Sequence, residues 1–94
     1  MSAANEIKKG KGCFYVGENE DNCQAIITYR DNHNGSISVD HTFVSQELRG
    51  QKLAARLLDK VIEMCQEDGL KIIPVCSYVR SEFEKNRDYD GLRY

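Results

Sequence analysis

Between Ser36 and Cys76 the sequence spells a strand, a helix and a second strand, and this order constrains the fold more than any other feature. The stretch "SISVDHTFV" (36–44) is rich in β-branched and aromatic residues. Simple alternation puts Ile37, Val39, His41 and Phe43 on one face and Ser38, Asp40, Thr42 and Val44 on the other. Ala54, Leu57, Leu58, Val61, Ile62 and Cys65 then recur at three- and four-residue steps, the apolar stripe of a helix. Asp68-Gly69 ends it, since glycine suits the left-handed residue that closes a helix. The run "LKIIPVC" (70–76) is almost continuously apolar, as in a strand covered on both faces. A helical crossover between two strands favours parallel pairing and a right-handed connection. Pro74 cannot donate to a ladder, so its side of that strand is either an edge or a place where the sheet opens.

Around this unit the signals are shorter. "GCFYVG" (12–17) and "CQAIITYR" (23–30) read as strands separated by the acidic turn "ENEDN". "DNHNG" supplies Asn-Gly, a hairpin signal, so the first three strands form an antiparallel meander. Residues 1–10 are polar and are expected to fray. "SYVRSEFEKN" (77–86) suits a short helix with Val79 and Phe83 inward, and "RDYDGLRY" carries little periodic signal. The reading is a mixed α/β (α+β) fold of order β-β-β-α-β-α. With 94 residues there is no room for a second core, so residues 1–94 are expected to be one domain.

Composition removes several function classes. Thirteen Lys and Arg against 15 Asp and Glu give 13 − 15 = −2, no field for nucleic acid or an acidic membrane. The four cysteines include no CxxC pair and only two histidines accompany them, so zinc-site spacing is absent and no metal is expected. The start "MSAANEIKKGKG" lacks the apolar core of a signal peptide, and no apolar run approaches a bilayer's span. The expectation is a cytoplasmic protein, or one of another reducing compartment, with free thiols.

The junction "ELRGQKLAARLL" carries the chemistry. A strand running into a helix offers unpaired N–H groups and the positive end of the helix dipole, a setting for phosphate. Gly50 leaves room for close approach, and Arg49 and Lys52 add positive charge. A Walker loop does not fit, because Lys52 lacks both the upstream glycine and the following Ser or Thr. A dinucleotide fingerprint does not fit, because there is one glycine. The segment resembles the acyl-CoA-binding motif of the GNAT N-acetyltransferase superfamily, Gln/Arg-x-x-Gly-x-Gly/Ala. Arg49 matches the first position and Ala54 the last, while Lys52 stands where the central glycine belongs. With "ISVDHTFV" and "LKIIPVCSYV", the resemblance is to a short GNAT-like subgroup with a cysteine after the second core strand, and covers roughly the last two-thirds of the chain.

That resemblance implies acetyl-CoA as co-substrate and an amine as acceptor. It implies that the strand at 36–44 and the crossover strand splay apart around the pantetheine arm. Main-chain groups at Phe43 and Val44 would meet that arm, and Arg49, Gly50, Gln51, Lys52, Leu53 and Ala54 would take the pyrophosphate. Lys52 has two open readings, a solvated side chain or a direct phosphate partner. Acetyl transfer needs a deprotonated amine, an oxyanion donor and an acid for the leaving thiolate. The resemblance assigns the oxyanion to a main-chain N–H near Phe43 or Val44, and offers Tyr78 or Tyr89 as acids or as packing residues. Cys76 ends the core strand, where it either contacts the acetyl group or packs as a small hydrophobe. His41 reads as a base or as a structural residue. Against larger family members the chain is expected to lack the early helices and last strands, leaving an acceptor side that is open or completed by a protein partner. The expected function is N-acetyl transfer to an amine; the alternative is a non-catalytic acyl-CoA-binding module or subunit.

Overall fold

A computed structural model of the chain describes residues 6–94. The first five residues of the segment expected to fray lie outside the described residues. One sheet of five strands runs in chain order: β1 (Lys8–Gly10), β2 (Cys13–Asn19), β3 (Asn22–Asp31), β4 (Ser36–Val44) and β5 (Lys71–Pro74). β1 to β4 are antiparallel, and β5 joins β4 in parallel after helix α1 (Leu53–Asp68). A second helix, α2 (Ser77–Lys85), follows β5, and a 3-10 turn covers Arg87–Leu92.

β1 corrects the expectation of fraying for residues 8–10. Gly10 pairs with Cys13 across a two-residue turn, and Lys8 and Lys9 pair with Tyr15 and Phe14. Three residues with two lysines carry no period to read, yet a short charged strand is what protects a sheet edge. The tail also gains structure that its sequence does not announce. Phe83 and Tyr89 rings lie 5.2 Å apart, and Tyr94 N–H donates to the Ile72 carbonyl at 2.9 Å beside β5.

The helix period places α1 as read. Leu57, Leu58, Val61 and Cys65 are fully buried against Val16, Ala25, Ile27 and Val39. Gly69 closes the helix at φ 69°, its N–H bonded to the Cys65 carbonyl. Val79 and Phe83 of α2 enter the same core. Each large aliphatic side chain buried this way contributes about 1.5–3 kcal/mol. Among the described residues, no helix is long and apolar enough to cross a membrane.

Two irregularities in β4 decide what the fold presents. The first is a bulge. Thr28 pairs with His41 but Tyr29 pairs with Val39, so Asp40 is an extra residue. Its carboxylate accepts from Thr28 Oγ1 at 2.5 Å. The inserted residue resets the alternation. Thr42 and Val44 therefore continue the inward face of Ile37 and Val39, half-buried, while His41 and Phe43 are exposed on the other. This corrects the expectation that His41 and Phe43 share a face with Ile37 and Val39.

The second is the end of the parallel ladder. β4 and β5 pair from Ser36↔Lys71 to Val39↔Pro74 and no further. Beyond Pro74 the N–H groups of Val75 and Cys76 converge on one acceptor, the Val39 carbonyl, at 3.1 and 2.9 Å. The strands separate there, at the residue that has no donor.

Candidate functional site

The opening has a chemical lip at each end. At its narrow end, Cys76 is the residue before α2, with backbone angles of an extended chain. Its half-buried thiol donates to Thr42 Oγ1, across the gap, at 3.5 Å. Burial pushes the thiol up, but the Thr42 hydroxyl and the main-chain groups of Val79, Tyr78 and Thr42 outweigh it. The net shift is down. No side-chain hydrogen bond closes the start of α2, so these amides act on the sulfur as oriented dipoles. Cys13, Cys23 and Cys65 shift the other way, Cys65 to about 11, with burial the leading cause in each.

At the wide end lies the turn into α1. Gly50 has φ 88°, a conformation strained for other residues, and a Cβ placed on it would meet nothing within 4 Å. Arg49 folds back so that Nε donates to the Val44 carbonyl at 3.3 Å. Lys52 caps α1 in the left-handed region, φ 58° and ψ 29°, without a side-chain cap bond. The first turn of α1 holds no acidic residue, so nothing in it offsets the positive end of the dipole. A cavity of about 150 Å³ is bounded here by Val44, Leu48, Arg49, Gly50, Lys52 and Ala54, with Leu53 anchored in the core beneath it. A wider depression of about 470 Å³ adjoins at Leu48, but in its lining Glu6, Glu18 and Glu47 outnumber Lys8, a balance unfavourable to phosphate.

The geometry of Lys52 explains the glycine of the motif it resembles: the position demands a positive φ. A non-glycine residue there costs about 1–2 kcal/mol, part of which glycine would return as chain entropy. Lys52→Gly is therefore expected to raise the melting temperature by a few degrees. An unchanged or lower melting temperature would mean that the lysine side chain recovers the strain locally.

The expected residues divide between two surfaces. Cys76, Thr42 and Val44 lie together on the inward side of the opening, with Tyr78 packed against the core nearby. Tyr78 is pushed up to about 12, by burial first and then by Glu82, Tyr89, Asp59 and Cys76. It holds its proton at neutral pH and is a hydrogen-bond donor rather than a strong acid. His41 and Phe43 project from the opposite face, so the histidine does not join Cys76. Thr42 is the residue that the sequence reading missed. Nothing in "VDHTFV" marks it, because its role depends on which residue of another element faces it across the gap. Among the described residues, no group of three or more His, Cys, Asp or Glu is placed to hold a metal ion.

Residues 13–92 match the sequence profile of GCN5-related N-acetyl-transferases. Among solved structures, the chain is similar to a GCN5-like protein from Staphylococcus aureus, with 42% identity over 99% of this chain and 91% of that one, and a TM-score of 0.82. It is also similar to a GNAT-family acetyltransferase from Staphylococcus aureus Mu50, with 28% identity over 64% of this chain and 39% of that one, TM-score 0.54. A ribosomal-protein-alanine N-acetyltransferase from Brucella melitensis, 18% identical over 81% of this chain and 62% of that one, shares the fold at TM-score 0.53. With a profile match over most of its length and a relative of the same size at this identity, the chain belongs to the GCN5-related N-acetyltransferase family.

Proposed function

We propose that the chain binds acetyl-CoA in the gap between β4 and β5 and transfers the acetyl group to an amine. One observation carries the reading. The ladder ends at Val39 and Pro74, and the open edge of β4 then runs toward an uncapped helix start flanked by Arg49 and Lys52. Five extended residues, 40–44, give an open edge of roughly 16 Å. An arm with two amides suits that edge, and a pyrophosphate suits the helix start.

In this reading Val44 serves through its main chain and Arg49 to Ala54 surround the pyrophosphate. Phe43, two residues before the Ser45 N–H that bonds the Gln24 carbonyl, turns its own main-chain groups to β3. Gly50 permits close approach, Arg49 and Lys52 supply charge, and Gln51, Leu53 and Ala54 contribute main-chain groups. The acetyl end reaches Thr42 and Cys76. The amine lone pair attacks the thioester carbonyl, the main-chain N–H of Val44 steadies the oxyanion, the C–S bond breaks to release CoA thiolate, and the nitrogen gives up its proton to water. A thiolate leaving group with a pKa of roughly 8.5 asks little of an acid. A hydrogen bond from Tyr78 suffices, whereas proton transfer from a group near 12 is uphill. His41, on the far face, serves only an acceptor that approaches from that side.

The position of His41 also favours a second reading, an acyl-CoA-binding module whose acceptor side a protein partner completes. An assay with acetyl-CoA and a panel of primary amines separates the two. Acetylated amine formed over many turnovers is the expected result. Binding of acetyl-CoA without any acetylated amine would establish the module instead.

A further inference from the structure

We propose that the same gap is the site of a reversible mixed disulfide between Cys76 and coenzyme A, formed by exchange with coenzyme A disulfide. The inference rests on the reading above, that the sulfur end of the ligand lies at Cys76. Three observations carry it. The Cys76 sulfur stands 3.5 Å from Thr42 Oγ1 where the ladder stops, half-buried but reachable. The chain belongs to a family whose co-substrate is a CoA thioester, so the neighbouring ligand atom is itself sulfur. Val75, next to Cys76 where the strands part, is 47% exposed, which leaves a way out for a departing group.

The chemistry balances without an added oxidant. The Cys76 thiolate attacks one sulfur of the ligand disulfide. That S–S bond breaks, a Cys76–S–S–CoA bond forms, and the other half leaves as CoA thiolate and takes a proton from water. The thiol is prepared for this, since the Thr42 hydroxyl and the amides at the start of α2 favour its ionised form. The other thiols are not. Cys13 and Cys65 are buried, and burial and then Asp21 push the Cys23 thiol up. The bound half occupies the cleft, so the adduct excludes acetyl-CoA until a small thiol reverses it. Acetyl-CoA use thereby becomes dependent on the state of the CoA pool.

Binding supplies the selectivity. A ligand held in the gap presents its sulfur at a raised effective concentration, which a disulfide lacking the nucleotide does not gain. The test treats the full chain with coenzyme A disulfide or glutathione disulfide at equal concentration and maps the adducts by mass spectrometry. The expected result is one CoA per chain, on Cys76, formed on the order of 100-fold faster than the glutathione adduct. Acetyl-CoA should suppress it and dithiothreitol should release it. An amide-shift titration of Cys76→Ser with coenzyme A runs in parallel. If coenzyme A shifts residues 43–54 there, yet the two disulfides label Cys76 equally, the gap does not direct the exchange, so the proposal fails while the binding reading stands. A CoA adduct on Cys13, Cys23 or Cys65 instead of Cys76 overturns the proposal in the same way. If coenzyme A shifts nothing, the binding reading falls and this inference falls with it.

Discussion

Cys76→Trp is expected to abolish acetyl-CoA binding, whereas Cys76→Ala retains it. The thiol lies at the narrow end of the gap, 3.5 Å from the Thr42 hydroxyl. An indole there has no room inward, because Val79 and Phe83 are already packed at 0% and 2% exposure. It turns into the gap and fills the space proposed for the acetyl group. A loss of at least about 100-fold in affinity, near 2.7 kcal/mol, should follow with little change in secondary structure. Alanine removes one sulfur and opens the gap, so binding should hold to within a few-fold. Some transfer should survive too, because direct attack by an amine needs no enzyme nucleophile. Tight binding by the tryptophan variant, measured by calorimetry, would take Cys76 out of the site.

The second large effect concerns the platform beneath the site. Leu57→Ala should destabilise the protein by about 3–5 kcal/mol, through lost transfer energy and the cavity left behind. Leu57 is fully buried in the core cluster that joins α1 to the sheet. A chain of 94 residues has roughly 5–14 kcal/mol of stability in all. Losing about a fifth or more should lower the melting temperature by on the order of 15–30 °C. Lys60→Ala, on the exposed side of the same helix, should stay within about 0.5 kcal/mol of the parent. Similar losses in both variants would mean that helix propensity, not burial, holds α1.

Both effects draw on elements that the sequence displays openly. The stripe from Ala54 to Cys65 and the stop at Gly69 mark α1, because a helix repeats its pattern locally and glycine tolerates a positive φ. Pro74 announces the end of the ladder, because a missing N–H is a property of one residue. The bulge at Asp40 is of another kind. It exists only in the register between two strands, Thr28 against His41 and Tyr29 against Val39, and no property of "VDHT" alone encodes it. Alternation therefore placed His41 and Phe43 on the wrong face, and the same error hid the separation of His41 from Cys76. β1 was illegible for a different reason: three residues cannot show a period of two. Lys52 sits between these cases. Its departure from the motif is visible in the sequence, but the φ of 58° that explains the usual glycine is visible only in the fold.

That φ also sharpens what Lys52→Gly can report. With strain relieved and no side chain beside the phosphates, the variant is expected to bind CoA at least as tightly as the parent. Weaker binding that recovers toward parent behaviour as salt rises would assign the ammonium to a phosphate.

The most direct measurement is a titration of isotope-labelled protein with acetyl-CoA, followed through its backbone amides. Shifts are expected to cluster at residues 43–54 and 74–78, the two sides of the gap between β4 and β5. Shifts confined to β1–β3, or none at millimolar ligand, would contradict acetyl-CoA binding there.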